Sequence, residues 1–223
     1  MPTVHYRYDA PPPELRPERF YVGPMSYAEY RALAEQPEMR LEYVEGVVYA
    51  LATGTRGHAR IASNVFRHLA GAAHAAGCRT FSMSLSVRTP RGNEYIPDVV
   101  VECDPPATSD DHATDTPCLV VEVLSPSTAS VDLGDKRAGY QLVPSLGAYL
   151  VVEAEWRAVH HYWRDSAGVW QEALLVGEGT VTLPCPAGVA LTLAEIYEGL
   201  DVPDVPPGPR IPHLRLVREP EPV

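Results

Sequence analysis

Asp98, Glu122 and Lys136 stand in an order, and in surroundings, that suit hydrolysis of a phosphodiester. Asp98 follows Pro97 at the head of the apolar stretch Val99-Val100-Val101. Glu122 interrupts Leu119, Val120, Val121, Val123 and Leu124, a run that reads as a strand buried on both faces. An ionised carboxylate there forfeits several kcal/mol of hydration unless a cation or strong donors meet it. A strand-end ion pair with an arginine would also satisfy it, but the purity of the apolar run favours a functional carboxylate. Two carboxylates on adjacent strands can hold a divalent cation such as Mg²⁺, which prefers oxygen ligands. Such an ion polarises a phosphodiester and yields hydroxide from water, while a lysine steadies the developing negative charge.

The elements that must position these groups follow from pattern. Ser125-Pro126-Ser127-Thr128 is expected to turn the chain after the Glu122 strand, and a helix is expected from about Asp132 to Val143, stopped by Pro144. Asp132, Lys136 and Tyr140 recur every fourth residue and so share one face. Upstream, Ser26 to Gln36 reads as a helix with a Ser26/Glu29 capping box. Leu41–Val44 and Val47–Leu51 read as a hairpin around Glu45-Gly46. A long helix is expected from about Gly57 to Ala76, with Ile61, Val65, Leu69, Ala72 and Ala76 on its apolar face and His58 in its first turn. Thr80 to Thr89 alternates as one half-buried strand, turned by Pro90-Arg91-Gly92-Asn93 toward the Asp98 strand as an antiparallel neighbour. Ala148–Glu153, Ala158–Arg164 and Val169–Val176 form a β-meander, and Thr192 to Leu200 a last helix with a Thr192/Glu195 box. His160 and His161 are adjacent on a strand and point to opposite faces, so they cannot chelate one ion. Trp156, Trp163 and Trp170 read as core or edge cover.

An ordered set of motifs carries a resemblance. It comprises L-E-Y-V-E-G-V-V-Y from Leu41, His58 opening a helix, Pro97-Asp98, L-V-V-E-V-L-S-P-S-T from Leu119, Asp132/Lys136/Tyr140, and A-Y-L-V-V from Ala148. Over about Met25 to Leu200 the chain resembles the Uma-two family of predicted endonucleases, within the PD-(D/E)XK restriction-endonuclease-like superfamily. The resemblance implies an α/β fold: a restriction-endonuclease-like core with a mixed central β-sheet flanked by helices, followed by the C-terminal meander. It implies a metal-dependent nuclease, acting on double-stranded DNA with Mg²⁺ or Mn²⁺. Asp98, Glu122 and the Val123 carbonyl are then the expected metal ligands. Asp98, Glu122, Lys136 and Glu42 are the expected catalytic groups, and His58 and Tyr140 are expected to face substrate. One departure stands out. Leu124 occupies the position two after Glu122 where the superfamily usually has lysine, so Lys136 is the matching residue, moved to the following helix.

Composition sets the frame. The 223 residues suffice for one domain, expected at 25–200 between an extended arm (1–24) and a proline-rich tail (201–223). No apolar run nears the ~20 residues of a membrane helix, and no leader pattern opens the chain, which predicts a cytoplasmic protein. Asp104 to Thr116 reads as a solvated acidic loop. Cys78, Cys103, Cys118 and Cys185 are widely spaced without a C-x-x-C pair, which predicts buried reduced thiols rather than a zinc site or disulfides. The net charge of −11 disfavours tight phosphate binding. Arg56, Arg60, Arg67, Arg79, Arg88 and Arg91 could form either a binding strip or a solvated face. The charge and Leu124 keep open a rival class, a non-catalytic binding module that retains the fold. Cutting both strands of a duplex calls for two sites in two-fold relation, so a homodimer is expected, with strand edges of the C-terminal half as its interface.

Overall fold

The computed structural model describes residues 5–8, 19–36, 39–103, 112–124, 131–205 and 214–217. In chain order these give strands β1 (His5–Tyr8) and β2 (Arg19–Pro24), helix α1 (Tyr27–Ala34), the hairpin β3 (Leu41–Val44) and β4 (Val47–Leu51), and helix α2 (Arg56–Ala75). Strands β5 (Cys78–Ser82), β6 (Ser86–Arg88), β7 (Glu94–Tyr95), β8 (Val99–Cys103), β9 (Ala113–Thr114) and β10 (Pro117–Val123) follow. A π-helical turn (Val131–Lys136) runs into α3 (Arg137–Tyr140). The chain continues through β11 (Ala148–Val152), β12 (Ala158–Arg164), β13 (Trp170–Val176), β14 (Thr180–Thr182), β15 (Ala190–Thr192), α4 (Leu193–Ile196) and β16 (Leu214–Val217).

The central sheet has the order β13-β12-β11-β10-β8-β5. It is mixed: β10 and β11 are parallel, from Leu119 opposite Ala148 to Val123 opposite Val152, and every other pairing is antiparallel. Parallel neighbours need a crossover, and the π-turn with α3 supplies it. All seven residues of β10 are buried, as its unbroken apolar run requires. One sheet face packs Val99, Val101, Leu119, Val121 and Val123 under α2, through Ile61, Val65 and Leu69. The other packs Val100, Val120 and Leu124 against Tyr140, Tyr149 and Val143. The i+4 row of α2 ends at buried Ala73, whereas Ala72 and Ala76 are exposed, contrary to the expected face.

A second sheet, β2-β4-β3-β7-β6-β9, holds the hairpin. Glu45 (φ 50°) and Gly46 (φ 83°) form its turn with two left-handed residues, the geometry that matches strand twist. Both capping boxes are present, at Ser26/Glu29 and Thr192/Glu195.

Several expectations are corrected. The stretch 80–89 is two strands in different sheets, because the chain breaks at Met83, whose φ of 52° lies outside strand geometry. The turn after it therefore pairs β6 with β7, while β5 is the strand beside β8. The helix expected from Asp132 begins one residue earlier, as a π-turn. Within the expected arm, β2 is an edge strand, and β1 pairs with β16 of the expected tail. The Ser125–Thr128 turn, and residues 104–111 of the acidic loop, lie outside the described residues; residues 113 and 114 of that loop form β9.

The cysteines also differ from expectation. Cys78 and Cys103 are direct partners on β5 and β8 and are disulfide-bonded, and Cys118 is bonded to Cys185. Spacing alone hid this, since residues 25 and 67 positions apart meet only once the sheet has formed.

Candidate active site

The site lies where the C-terminal end of β10 meets the N-terminal end of antiparallel β8. That register sets Asp98, just before β8, beside the end of β10, and the Val123 N–H donates to Asp98 Oδ2 at 2.7 Å. His58 Nε2 lies 3.2 Å from the same oxygen. His58 is delivered by the first turn of α2, where Thr55 is the N-cap and its hydroxyl accepts from the His58 N–H at 3.2 Å. Gly54 leaves the imidazole its room: a Cβ there would lie 2.7 Å from Nδ1.

Glu122 is met from the other sheet face. Lys136 Nζ lies 2.9 Å from Glu122 Oε1, 3.0 Å from Glu42 Oε1 and 3.2 Å from Asp132 Oδ1. Tyr140 also donates to Glu122 Oε1, at 3.1 Å. Glu42, on β3 of the second sheet, accepts from the Ile96 N–H at 3.1 Å, two residues before Asp98. Lys136 thus ties both sheets together through carboxylates. The π-turn presents Asp132 and Lys136 on one side, and its Asp132 carbonyl accepts from the Tyr149 hydroxyl at 2.9 Å. Irregular turns of this kind are frequent at functional sites.

Electrostatics follow from burial. Glu42 is 0 % exposed, Glu122 4 %, Lys136 5 % and Asp132 2 %. Burial pushes the Glu122 carboxyl well above the ordinary carboxylate range; Lys136 pulls it down, and Asp132, Asp98 and Glu42 push it up. Burial, then the Glu122 charge, raises the Tyr140 hydroxyl well above its ordinary value, which keeps it a donor. Among the described residues both donors to Glu122 use Oε1, and at Asp98 the Val123 N–H donates to Oδ2, the oxygen that His58 Nε2 also approaches. Among the described residues no donor engages Glu122 Oε2 or Asp98 Oδ1. A cleft of about 410 Å³ opens over this end of the sheet, lined by His58, Met83, Asp98, Glu122, Asp132 and Lys136 among others.

All the expected site residues thus converge: Asp98, Glu122, Val123, Lys136, Glu42, His58 and Tyr140. The donor set fits a hard divalent cation, because carboxylate oxygens dominate and a single buried ammonium faces three of the four carboxylates. Asp132 belongs to the same cluster; its place on the Lys136 face of the helix was the signal for it. Gly54 and Met83 carried no such signal. The arginines are not one strip. Arg60 and Arg67 reach Glu198, whereas Arg88, on β6 of the second sheet, reaches Tyr27, Glu94 and Asp115. His160 pairs with Glu153, and His161 stacks on Trp163. Trp156 is core, at 0 % exposure. Among the described residues no helix is long and apolar enough to cross a membrane.

An uncharacterized protein of Synechocystis sp. is 31% identical over 197 residues, covering 86% of this chain and 95% of that protein. A second from the same organism is 28% identical over 157 residues, 69% of this chain and 89% of that one. A crystal structure from Anabaena variabilis, titled a "putative nuclease belonging to DUF820", superposes with a TM-score of 0.65 at 15% identity, covering 78% of this chain and 98% of that one. It shares the restriction-endonuclease-like fold expected from the motifs. The model of the Uma2 family, described as "putative restriction endonuclease", matches residues 27–194, and the chain belongs to that family.

Proposed function

We propose that the protein is a metal-dependent nuclease that hydrolyses phosphodiester bonds in double-stranded DNA. The observation that carries this reading is the pairing of Asp98 and Glu122 at the cleft, with Val123 N–H on Asp98 Oδ2, Lys136 and Tyr140 on Glu122 Oε1, and, among the described residues, no donor on the other oxygen of either. Asp98, Glu122 and the Val123 carbonyl would hold Mg²⁺ or Mn²⁺, which supplies Lewis acidity toward the phosphate and lowers the pKa of water.

The chain's own residues prepare that chemistry. Lys136 and Tyr140 fix the rotamer of Glu122, and Val123 N–H and His58 fix that of Asp98, so neither carboxylate must reorganise when substrate arrives. Lys136 places a positive charge beside the carboxylates, where it stabilises negative charge growing on the phosphate. Glu42 holds Lys136 to the Ile96 backbone. His58, at the cleft wall, is placed to contact a phosphate oxygen or position a water. The protein acts as a homodimer, bringing two sites to opposite strands; β13, at the edge of the central sheet, offers a pairing surface.

Incubation of supercoiled plasmid with the purified chain tests the reading. Mg²⁺ or Mn²⁺ should support nicking and linearisation, and chelator or Glu122→Gln should abolish both. A second reading, a non-catalytic binding module, is favoured by one observation: Lys136 is 5 % exposed and held by three carboxylates. DNA binding without cleavage at any divalent ion, unchanged by Glu122→Gln, would select it.

A further inference from the structure

The far end of the same strands carries a second cluster that the nuclease reading does not use. Cys103 ends β8 and Cys118 lies near the start of β10, so both sit at the opposite strand ends from Asp98 and Glu122. Cys118 lies four positions before Glu122, about 13 Å along a strand. Cys78 opens β5 directly opposite Cys103, and Cys185 reaches over from the connection between β14 and β15. The two disulfides do not stand apart. Cys103 Sγ lies 3.4 Å from Cys118 Sγ and 3.5 Å from Cys185 Sγ, and these three sulfurs fall within 4.8 Å of one another.

We propose that in the reduced chain Cys78, Cys103, Cys118 and Cys185 bind one tetrahedral, thiophilic divalent cation, with Zn²⁺ the fitting ion. A zinc–thiolate bond of about 2.3 Å implies sulfurs about 3.8 Å apart at the corners of a tetrahedron. The contacts of Cys103 with Cys118 and Cys185 are close to that edge, and reduction frees the Cys118–Cys185 pair to open to it and Cys78, released from Cys103, to take the fourth corner. One of the two disulfides adds little connectivity here. The Cys78–Cys103 link joins two strands already hydrogen-bonded in register, whereas a metal ties β5, β8, β10 and the Cys185 segment at one point. Burial suits the site: Cys78 and Cys118 are 4 % and 5 % exposed. The ligand spacing of 25, 15 and 67 residues matches no short zinc motif, because the sheet rather than a local knuckle assembles it.

The conversion balances. Each disulfide takes two electrons and two protons from a dithiol reductant and gives two thiols. The four thiols then release up to four protons as they bind one cation as thiolates.

The test uses the full chain, reduced, freed of metal and titrated with Co²⁺. One equivalent should bind with the visible bands of a tetrahedral site and ultraviolet sulfur-to-cobalt charge transfer, and one equivalent of Zn²⁺ should erase both. The same spectra should persist in Asp98→Asn/Glu122→Gln, which separates this site from the nuclease cleft. Cys185→Ser should weaken binding at least about tenfold. A reduced, folded chain that binds Co²⁺ without charge transfer overturns the proposal. So does one whose four thiols stay equally reactive toward a disulfide reagent with and without equimolar Zn²⁺.

Discussion

The ammonium of Lys136 stands 2.9 Å from Glu122 Oε1, although Lys136 is not two residues along the strand from Glu122 but on the turn that follows it. Leu124, in the strand position, is buried in the apolar layer with Val120 and Tyr140. The helix carries the charge into the site from outside the sheet, and the strand keeps only packing.

Removing that charge has two consequences. Lys136→Met leaves Glu42, Glu122 and Asp132 without their shared counter-ion, and breaking such a buried group costs about 3–5 kcal/mol. The metal-free variant should therefore melt well below wild type, and Mg²⁺ or Mn²⁺ should recover part of the loss. Cleavage should fall roughly 10²-fold or more, as for loss of one preorganised donor. Thermal melts and rates on plasmid DNA check both parts; a wild-type rate would remove Lys136 from the mechanism.

Glu122 makes the metal-free protein sensitive to pH in a defined direction. Its folded pKa is raised above its ordinary value of 4.5, chiefly by burial. The folded state thus holds a proton that the unfolded state has lost. Stability from this group is full below the unfolded value and is lost as pH rises through the folded one. In chelator, wild type should lose stability relative to Glu122→Gln as pH is raised above the ordinary carboxylate range. Parallel melting curves for the two proteins across that rise in pH would contradict the assignment.

Gly54 should matter through His58. An alanine Cβ would lie 2.7 Å from Nδ1 and 2.9 Å from Cγ of the imidazole, so the ring must leave Asp98. Gly54→Ala should slow cleavage about tenfold or more, as misplacement of a contacting group does, with little change in melting temperature. His58→Ala should match it. If Gly54→Ala cuts at the wild-type rate, the His58–Asp98 contact is not needed.

Much of this was legible in the residues. The β10 run, the Glu45-Gly46 turn, both capping boxes and the four-residue spacing of Asp132, Lys136 and Tyr140 are local signals, and local chemistry decides them. What escaped depends on long-range pairing. Nothing near Met83 announces a left-handed residue, since glycine would be the usual marker, so a broken strand read as a continuous one. The pairing of β1 with β16 joins opposite ends of the chain. The cysteines likewise lack any local motif and meet only through β5, β8 and β10. Asp98 and Glu122 stand out in the sequence because one carboxylate follows a proline at the head of an apolar strand and the other interrupts an apolar strand. Gly54 does not, because its role is an empty space.

Asp98 and Glu122 are proposed to hold one hard divalent cation together. Calorimetric titration of the full chain with Mn²⁺, an ion that favours these oxygens over the distant sulfurs, tests this most directly. Asp98→Asn should keep the hydrogen bond from Val123 N–H, and with it the fold, while losing a ligand charge. Wild type should bind one Mn²⁺ at the site, with affinity falling at least about tenfold in Asp98→Asn and similarly in Glu122→Gln. Equal Mn²⁺ affinity in wild type and both variants would show that these carboxylates are not the metal site.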